Sequence, residues 1–202
     1  GQQHVAPALP AFMAHYPDLA VDLQLNDRTV DLVDEGFDVA VRIGQLADSS
    51  LIAKRLASLR GRLVASPEYF LRHGRPAHPT ELKDHACLIY SYLAAGRSWP
   101  FRGPDGPMRV AVDGPLEANN GDVLLTAARA GLGIAQLPTF ICGDDLRAGR
   151  LESVLDAWLD TRNGAVHAVY PASRTVLPKV RVFIDFLAAR FGHAPYWDHD
   201  LP

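Results

Sequence analysis

NDRTVDLVDEGFDVAVRIG, residues 26–44, decides the fold class. Asn26 or Asp27 can cap a helix that carries Val30 and Val33 inward, and Glu35-Gly36 can close it in a left-handed conformation with Phe37 packing back. VAVRI (39–43) is a nearly continuous apolar run that stops at Gly44, as a central parallel strand does. Upstream, LAVDLQL (19–25) alternates Leu19, Val21, Leu23 and Leu25, the pattern of a strand with one wetter face. Strand, short helix and parallel strand make a βαβ unit with a right-handed crossover, which requires an α/β sheet.

The flanking sequence extends this pattern. Val5, Leu9, Phe12 and Tyr16 share one helical stripe, with Pro10 forcing a late start or a kink and Pro17 ending it. RLVA (62–65) predicts a strand running into Ser66-Pro67-Glu68, a helix start with a cap, a proline and an acid in its first turn. CLIY (87–90) predicts a buried strand, and Trp99 to Val112, centred on Pro104-Asp105-Gly106, a hairpin. A helix is expected over about 122–130, ended by Gly131, then a strand over 133–137 and a short helix after Pro138. LESVL (151–155) and AVHAVY (165–170) predict strands. The last helix, Pro178 to Phe191, carries Val180, Phe183, Ile184, Leu187 and Phe191 on one face, and APYWDHDLP is expected to be an irregular, solvated tail.

Composition narrows the function classes. The 202 residues carry 20 basic and 23 acidic side chains, a net charge of −3 with no basic block, so no nucleic-acid-binding face is expected in them. No apolar stretch approaches a membrane span, and GQQHVAPALP lacks the features of a secretory signal, which favours the cytoplasm. The two cysteines, Cys87 and Cys142, lie far apart and read as buried thiols. No nucleophile elbow, phosphate-binding loop or zinc-protease motif occurs. Gly131-Leu132-Gly133 follows a helix, the wrong order for a dinucleotide fingerprint, and His193, Asp198, His199 and Asp200 read as a solvated tail rather than a metal cluster. Neither metal, cofactor nor catalysis is expected.

Longer motifs resemble a known family. DRTVDLVDEGFDVAVRIGQLADSSLIAKRL (27–56), LVASPEYFLRHGRPAHPTELKDHACL (63–88) and NNGDVLLTAARAGLGIAQLP (119–138) look like the effector-binding domain of LysR-type transcriptional regulators. YPASRTVLPKVRVFIDFLAARF (170–191) is similar to the closing helix of one large subgroup, so the resemblance runs from about His4 to Gly192.

It implies an α/β fold of two lobes of the type 2 periplasmic-binding-protein kind, each a mostly parallel sheet flanked by helices. Lobe I is expected over residues 1–65 and 138–202, lobe II over 66–137. It further implies a cytoplasmic regulator, a homo-dimer or tetramer, that takes a small metabolite between its lobes. No residues here match the family's winged helix-turn-helix or the strand that opens its regulatory domain. DNA is therefore expected to be bound only through a winged helix-turn-helix outside this sequence. The place beside VAVRI is expected to be filled by residues not present here or by another chain, since a gap would leave backbone groups unpaired.

Ligands in open α/β sheets sit at the carboxyl ends of strands, where helices begin. The candidate effector-binding residues are thus Asn26, Arg28 and Thr29; Ile43, Gly44 and Gln45; Asn119, Asn120 and Gly121; with Ser66 and Thr139 beside the expected crossovers. Each has a plainer role available: Asn26, Asp27 and Asp122 as caps, Arg28 as a surface pair, Arg42 as a structural ion pair, Tyr90 and Trp99 as core. The expected effector is an organic or aromatic acid. A periplasmic-type solute-binding protein is the alternative, and an enzyme on the same fold the third reading.

Overall fold

The computed structural model describes residues 1–28, 31–46, 50–92, 96–159, 164–172, 177–192 and 194–201. Its elements are helix α1 (Leu9–His15), strands β1 (Ala40–Gly44), β2 (Leu51–Ser58) and β3 (Gly61–Ala65), helix α2 (Pro67–His73), β4 (Cys87–Tyr90), β5 (Ser98–Gly103), β6 (Gly106–Ala111), β7 (Glu117–Ala118), α3 (Gly121–Arg129), β8 (Ile134–Pro138), α4 (Thr139–Arg147), β9 (Glu152–Val154), β10 (Ala165–Pro171) and α5 (Pro178–Phe191). Packing divides the chain into two units, Gly1–Leu59 with Asn163–His199 and Arg60–Arg162 with Asp200–Pro202. The division expected at 65/66 and 137/138 would instead have parted β3 from most of β8. Pairing of β3 with both β8 and β9 keeps all three strands in the second unit.

In the first unit β10 lies between β1 and β2, antiparallel to both. VAVRI therefore forms a strand, but not the parallel one expected. Among the described residues its other edge has no ladder partner, and residues 19–25 form no ladder at all. Their alternation finds no sheet to join, so Leu23 and Leu25 remain 37% and 54% exposed. The helix expected after them is a single turn. Its cap is Asp31, whose carboxylate accepts from the Val33 and Asp34 amides at 2.9 and 3.1 Å. Leu32 and not Val33 points inward, at 1% against 64% exposure, and Val30 lies outside the described residues. The closure is as expected: Gly36 has φ +72°, and the Phe37 amide reaches the Leu32 carbonyl at 2.9 Å.

Pro7 and Pro10 shape the entry to α1: Ala6–Ala8 is a 3-10 turn, and the α-helix follows from Leu9. Phe12 then packs on Phe183 and Phe186 of α5 with ring centroids 5.1 and 5.2 Å apart. On α5, Val180, Ile184, Leu187 and Phe191 are buried, the expected stripe. The tail departs from expectation, because Trp197 is only 4% exposed and packs on Phe191 and His4.

In the second unit the strand order is β7-β4-β8-β3-β9. β4 is parallel to β7 and β8, whereas β3 is antiparallel to β8 and β9. Alternation sends Leu63 and Ile89 to one face, with Tyr69, Phe70 and the β5–β6 hairpin's Trp99 and Phe101. Val64 and Leu88 go to the other, with Leu124, Leu125 and Ala128 of α3 and Cys142 and Leu146 of α4. The expected starts and stops hold here: the Ser66 hydroxyl accepts from the Tyr69 amide, and Gly74 has φ +80°.

A fully buried carboxylate ties α3 to α4. Asp145 accepts from Arg129 Nε at 2.7 Å and also from its Nη2, and from Arg150 Nε at 2.5 Å. Charge-assisted bonds to a buried acceptor are worth more than exposed pairs. Asp145→Ala is expected to lower stability by about 2–3 kcal/mol in urea unfolding. Burial pushes the Cys87 and Cys142 thiols up to about 12. Both should resist alkylation at pH 8 in the native protein and react only after unfolding, as thiol counting by mass would show.

Candidate functional site

Parallel strands end on the same side of a sheet, and this gathers the second unit's candidates. After β7 come Asn119 and Asn120, after β4 comes Ser91, and after β8 comes Thr139. Ser91 is tied to β7 through its amide, which donates to the Ala118 carbonyl at 2.9 Å. Asn120 caps α3: its side-chain oxygen accepts from the Asp122 and Val123 amides at 2.9 and 3.2 Å. That fixes the carbamoyl group, leaving its NH2 as the part available to a ligand. Gly121, at the first position of α3, lies so close to α4 that a Cβ there would meet the Ile141 side chain at 2.5 Å. The starts of α3 and α4 are thus adjacent.

Thr139 is 1% exposed, and its amide donates to the Arg60 carbonyl at 2.9 Å. Arg60 is the first residue of the second unit, so this edge is also where the chain enters that unit.

Ser66 does not belong there. β3 runs antiparallel to β8, so Arg60 lies beside Thr139 while Ser66 lies beside Gly131, near the start of β8. Six residues of extended chain place it about 20 Å from Thr139. It is 4% exposed and serves as a helix cap.

In the first unit, Ile43 and Gly44 close β1, and Gln45 follows, exposed. Gly44 has φ +110°, a conformation that penalises any side chain and turns the backbone sharply at the strand end. Register sets Gly44 opposite Ala165, and Ala165 opposite Ser58, so this is the edge from which the chain leaves through Leu59. Asn26 forms a local turn in which its side-chain oxygen accepts from the Arg28 amide at 2.9 Å. Arg28 makes a two-pronged pair with Glu35, at 3.1 and 3.0 Å, and brings no unmatched charge to a ligand. Thr29 lies outside the described residues.

Sequence reasoning passed over Asp31, Ser91 and Arg60 here, and the ion pair that Glu35 makes with Arg28. Asp31 and Glu35 hold the turn that carries Arg28; the spacing Asp31-x-x-Asp34 ahead of Gly36 is a cap signal that could have found the first. Ser91 and Arg60 enter only because strands distant in sequence pair as they do. Among the described residues no group of three or more metal-ligating side chains occurs, and no helix is long and apolar enough to cross a membrane.

Comparison with known proteins gives a consistent result. Residues 1–192 match the family model described as the LysR substrate binding domain. An HTH-type transcriptional regulator of Haemophilus influenzae is 36% identical over 180 residues, covering 89% of this chain and 62% of its own. The regulator DmlR of Escherichia coli is 36% identical over 197 residues, covering 96% and 64%. The chain thus spans a little under two thirds of the length of these relatives. Among solved structures, the regulatory domain of CrgA from Neisseria meningitidis superposes with a TM-score of 0.84 at 30% identity, covering 95% of this chain and 93% of that one. The full-length virulence activator AphB of Vibrio cholerae does so at 0.80 and 31%, covering 93% and 64%. These relatives are regulators rather than enzymes, and the regulatory domains carry the two-lobed periplasmic-binding-protein-like α/β fold expected from the sequence.

Asn120→Ala removes the α3 cap and should cost about 1 kcal/mol. Gly44→Ala should cost a similar amount through backbone strain alone. Chemical unfolding of the two variants checks both.

Proposed function

The chain belongs to the LysR substrate-binding domain family, and from that premise we propose that it is the ligand-sensing part of a transcriptional regulator whose effector is a small organic or aromatic acid. The second unit contributes the carboxyl edge of β7, β4 and β8, with Asn119, Asn120, Gly121 and Thr139. The first contributes Asn26, Arg28, Ile43, Gly44 and Gln45. The carrying observation is that the described candidates in each unit, Ser66 excepted, lie on loops, strand ends and helix starts, several of them on the edge where the chain enters or leaves that unit. A ligand engaging both edges stabilises one arrangement of the units over others, which is a population shift driven by differential affinity.

Recognition rests on neutral donors. Capping occupies the Asn120 oxygen with the Asp122 and Val123 amides and leaves its NH2 as a neutral donor suited to a carboxylate. Arg28, neutralised by Glu35, acts as a positioning residue for its turn. The response reaches DNA through a winged helix-turn-helix elsewhere in the protein, in a cytoplasmic homo-dimer or tetramer.

Thermal-shift measurement against a panel of organic and aromatic acids tests the reading. An effector at about one hundred times its Kd should add roughly 2.7 kcal/mol of apparent stability. Asn120→Ala and Gln45→Ala should each weaken that response. Failure of every acid in the full-length regulator, or equal affinity in both variants, would sink it.

A further inference from the structure

Where α2 meets the start of β4, two imidazoles share one phenol. Tyr69 is 2% exposed, and its Oη accepts from the Ala86 amide at 3.0 Å. His85 Nδ1 lies 3.2 Å from the same oxygen. The His73 ring, one turn further along α2, stacks on the Tyr69 ring with centroids 4.6 Å apart and planes at 29°. The Ala86 carbonyl in turn accepts from the Ile134 amide at 2.8 Å, so Ala86 links α2 to both β4 and β8.

This bonding fixes the protons. A hydroxyl has one proton to give and two lone pairs. Ala86 donates to Tyr69 Oη, so the phenolic proton needs its own acceptor, and among the described residues His85 Nδ1 is the one within reach. His85 is therefore neutral, with its proton on Nε2. Protonating it puts an N–H where the phenolic proton now lies. The phenol must then turn that proton into the apolar cluster it shares with Leu63, Phe70, Leu82 and Trp99.

The surrounding charges act in the same sense. The His85 pKa is lowered, first by burial and then by His73, with Asp84 and Glu81 acting against them. Glu81 is engaged by the Ala77 amide at 2.9 Å, Arg72 by Glu68 and Arg75 by Glu152. Burial keeps the Cys87 thiol neutral, pushed up to about 12. The folded protein thus takes up this proton less readily than the unfolded chain. The contact holds in full above the ordinary histidine value of 6.5 and weakens as pH falls below it.

We propose that Tyr69, His85 and His73 form an acid-released catch, which holds α2 on the start of β4 while His85 is neutral and opens that contact when His85 is protonated. The opening is local, because Leu88 and Val64 pack α3 and α4 on the opposite face of the sheet. None of the strand-end candidates takes part, so the catch is independent of the effector reading.

Residue-resolved amide exchange, expressed as protection factors from about pH 8 to about pH 5, tests it. Protection of the Ala86 amide is expected to fall severalfold on acidification while the α3 amides keep theirs. His85→Asn, whose side-chain oxygen replaces Nδ1 as acceptor but does not titrate, should retain protection and lose the acid step. Tyr69→Phe should leave Ala86 less protected throughout, again with no step. His73→Gln, which removes one of the two charges, should shrink it. An acid step that persists in His85→Asn or in Tyr69→Phe overturns the proposal, as does its absence from the wild-type chain. Loss of α3 protection in parallel also overturns it, since that is global acid unfolding.

Discussion

Parallel pairing of β4 with both β7 and β8 is the constraint on which the candidate site depends. Three strands that run the same way must end on one edge, so Ala118, Tyr90 and Pro138 deliver their following residues to one place. Two of those strands lead directly into helices, α3 and α4, whose first turns leave amides without intrahelical partners. Asn120 satisfies two of the amides at α3, which fixes the orientation of its own amide group at this edge. The antiparallel return of β3 completes the geometry by placing Arg60 beside Thr139. It also carries Ser66 to the far end.

The first unit is organised around β10 instead. Among the described residues it is the strand of its sheet with ladder partners on both sides, and Val166, Ala168 and Val169 are all buried. β1 depends on it entirely among the described residues, which explains why Ile43 is 47% exposed at the end of an apolar strand. The turn at Asp31 to Phe37 is local in origin: cap, glycine and closing hydrogen bonds all lie within seven residues. Charge is balanced within the turn by the Arg28–Glu35 pair, whereas Lys179 of α5 reaches Asp38 from far along the sequence.

Elements whose signals are local are legible in the residues themselves. The Ser66 cap, the Gly74 and Gly192 stops, the hairpin around Pro104-Asp105-Gly106 and the α5 stripe all appear where the residues indicated. The candidate residues at Asn119–Gly121 and Thr139 share this property, because caps and helix starts mark the ends of parallel strands. Three expectations failed for one reason: LAVDLQL as a strand, VAVRI as a parallel strand and Ser66 at the cleft each required knowing a partner strand. β2, eight residues long, left little periodic signal because four consecutive positions, Ile52 to Arg55, are exposed.

The sequence by itself determined the family, the α/β class and nearly every element with its own caps, since hydrophobic period and turn chemistry act over a few residues. Tertiary structure alone decided direction and adjacency: which strands run parallel, which edge Asn120 and Thr139 share, and that Tyr69 of α2 meets His85 at the start of β4. Backbone hydrogen bonds between distant strands make those choices, and the same apolar run satisfies them in either direction.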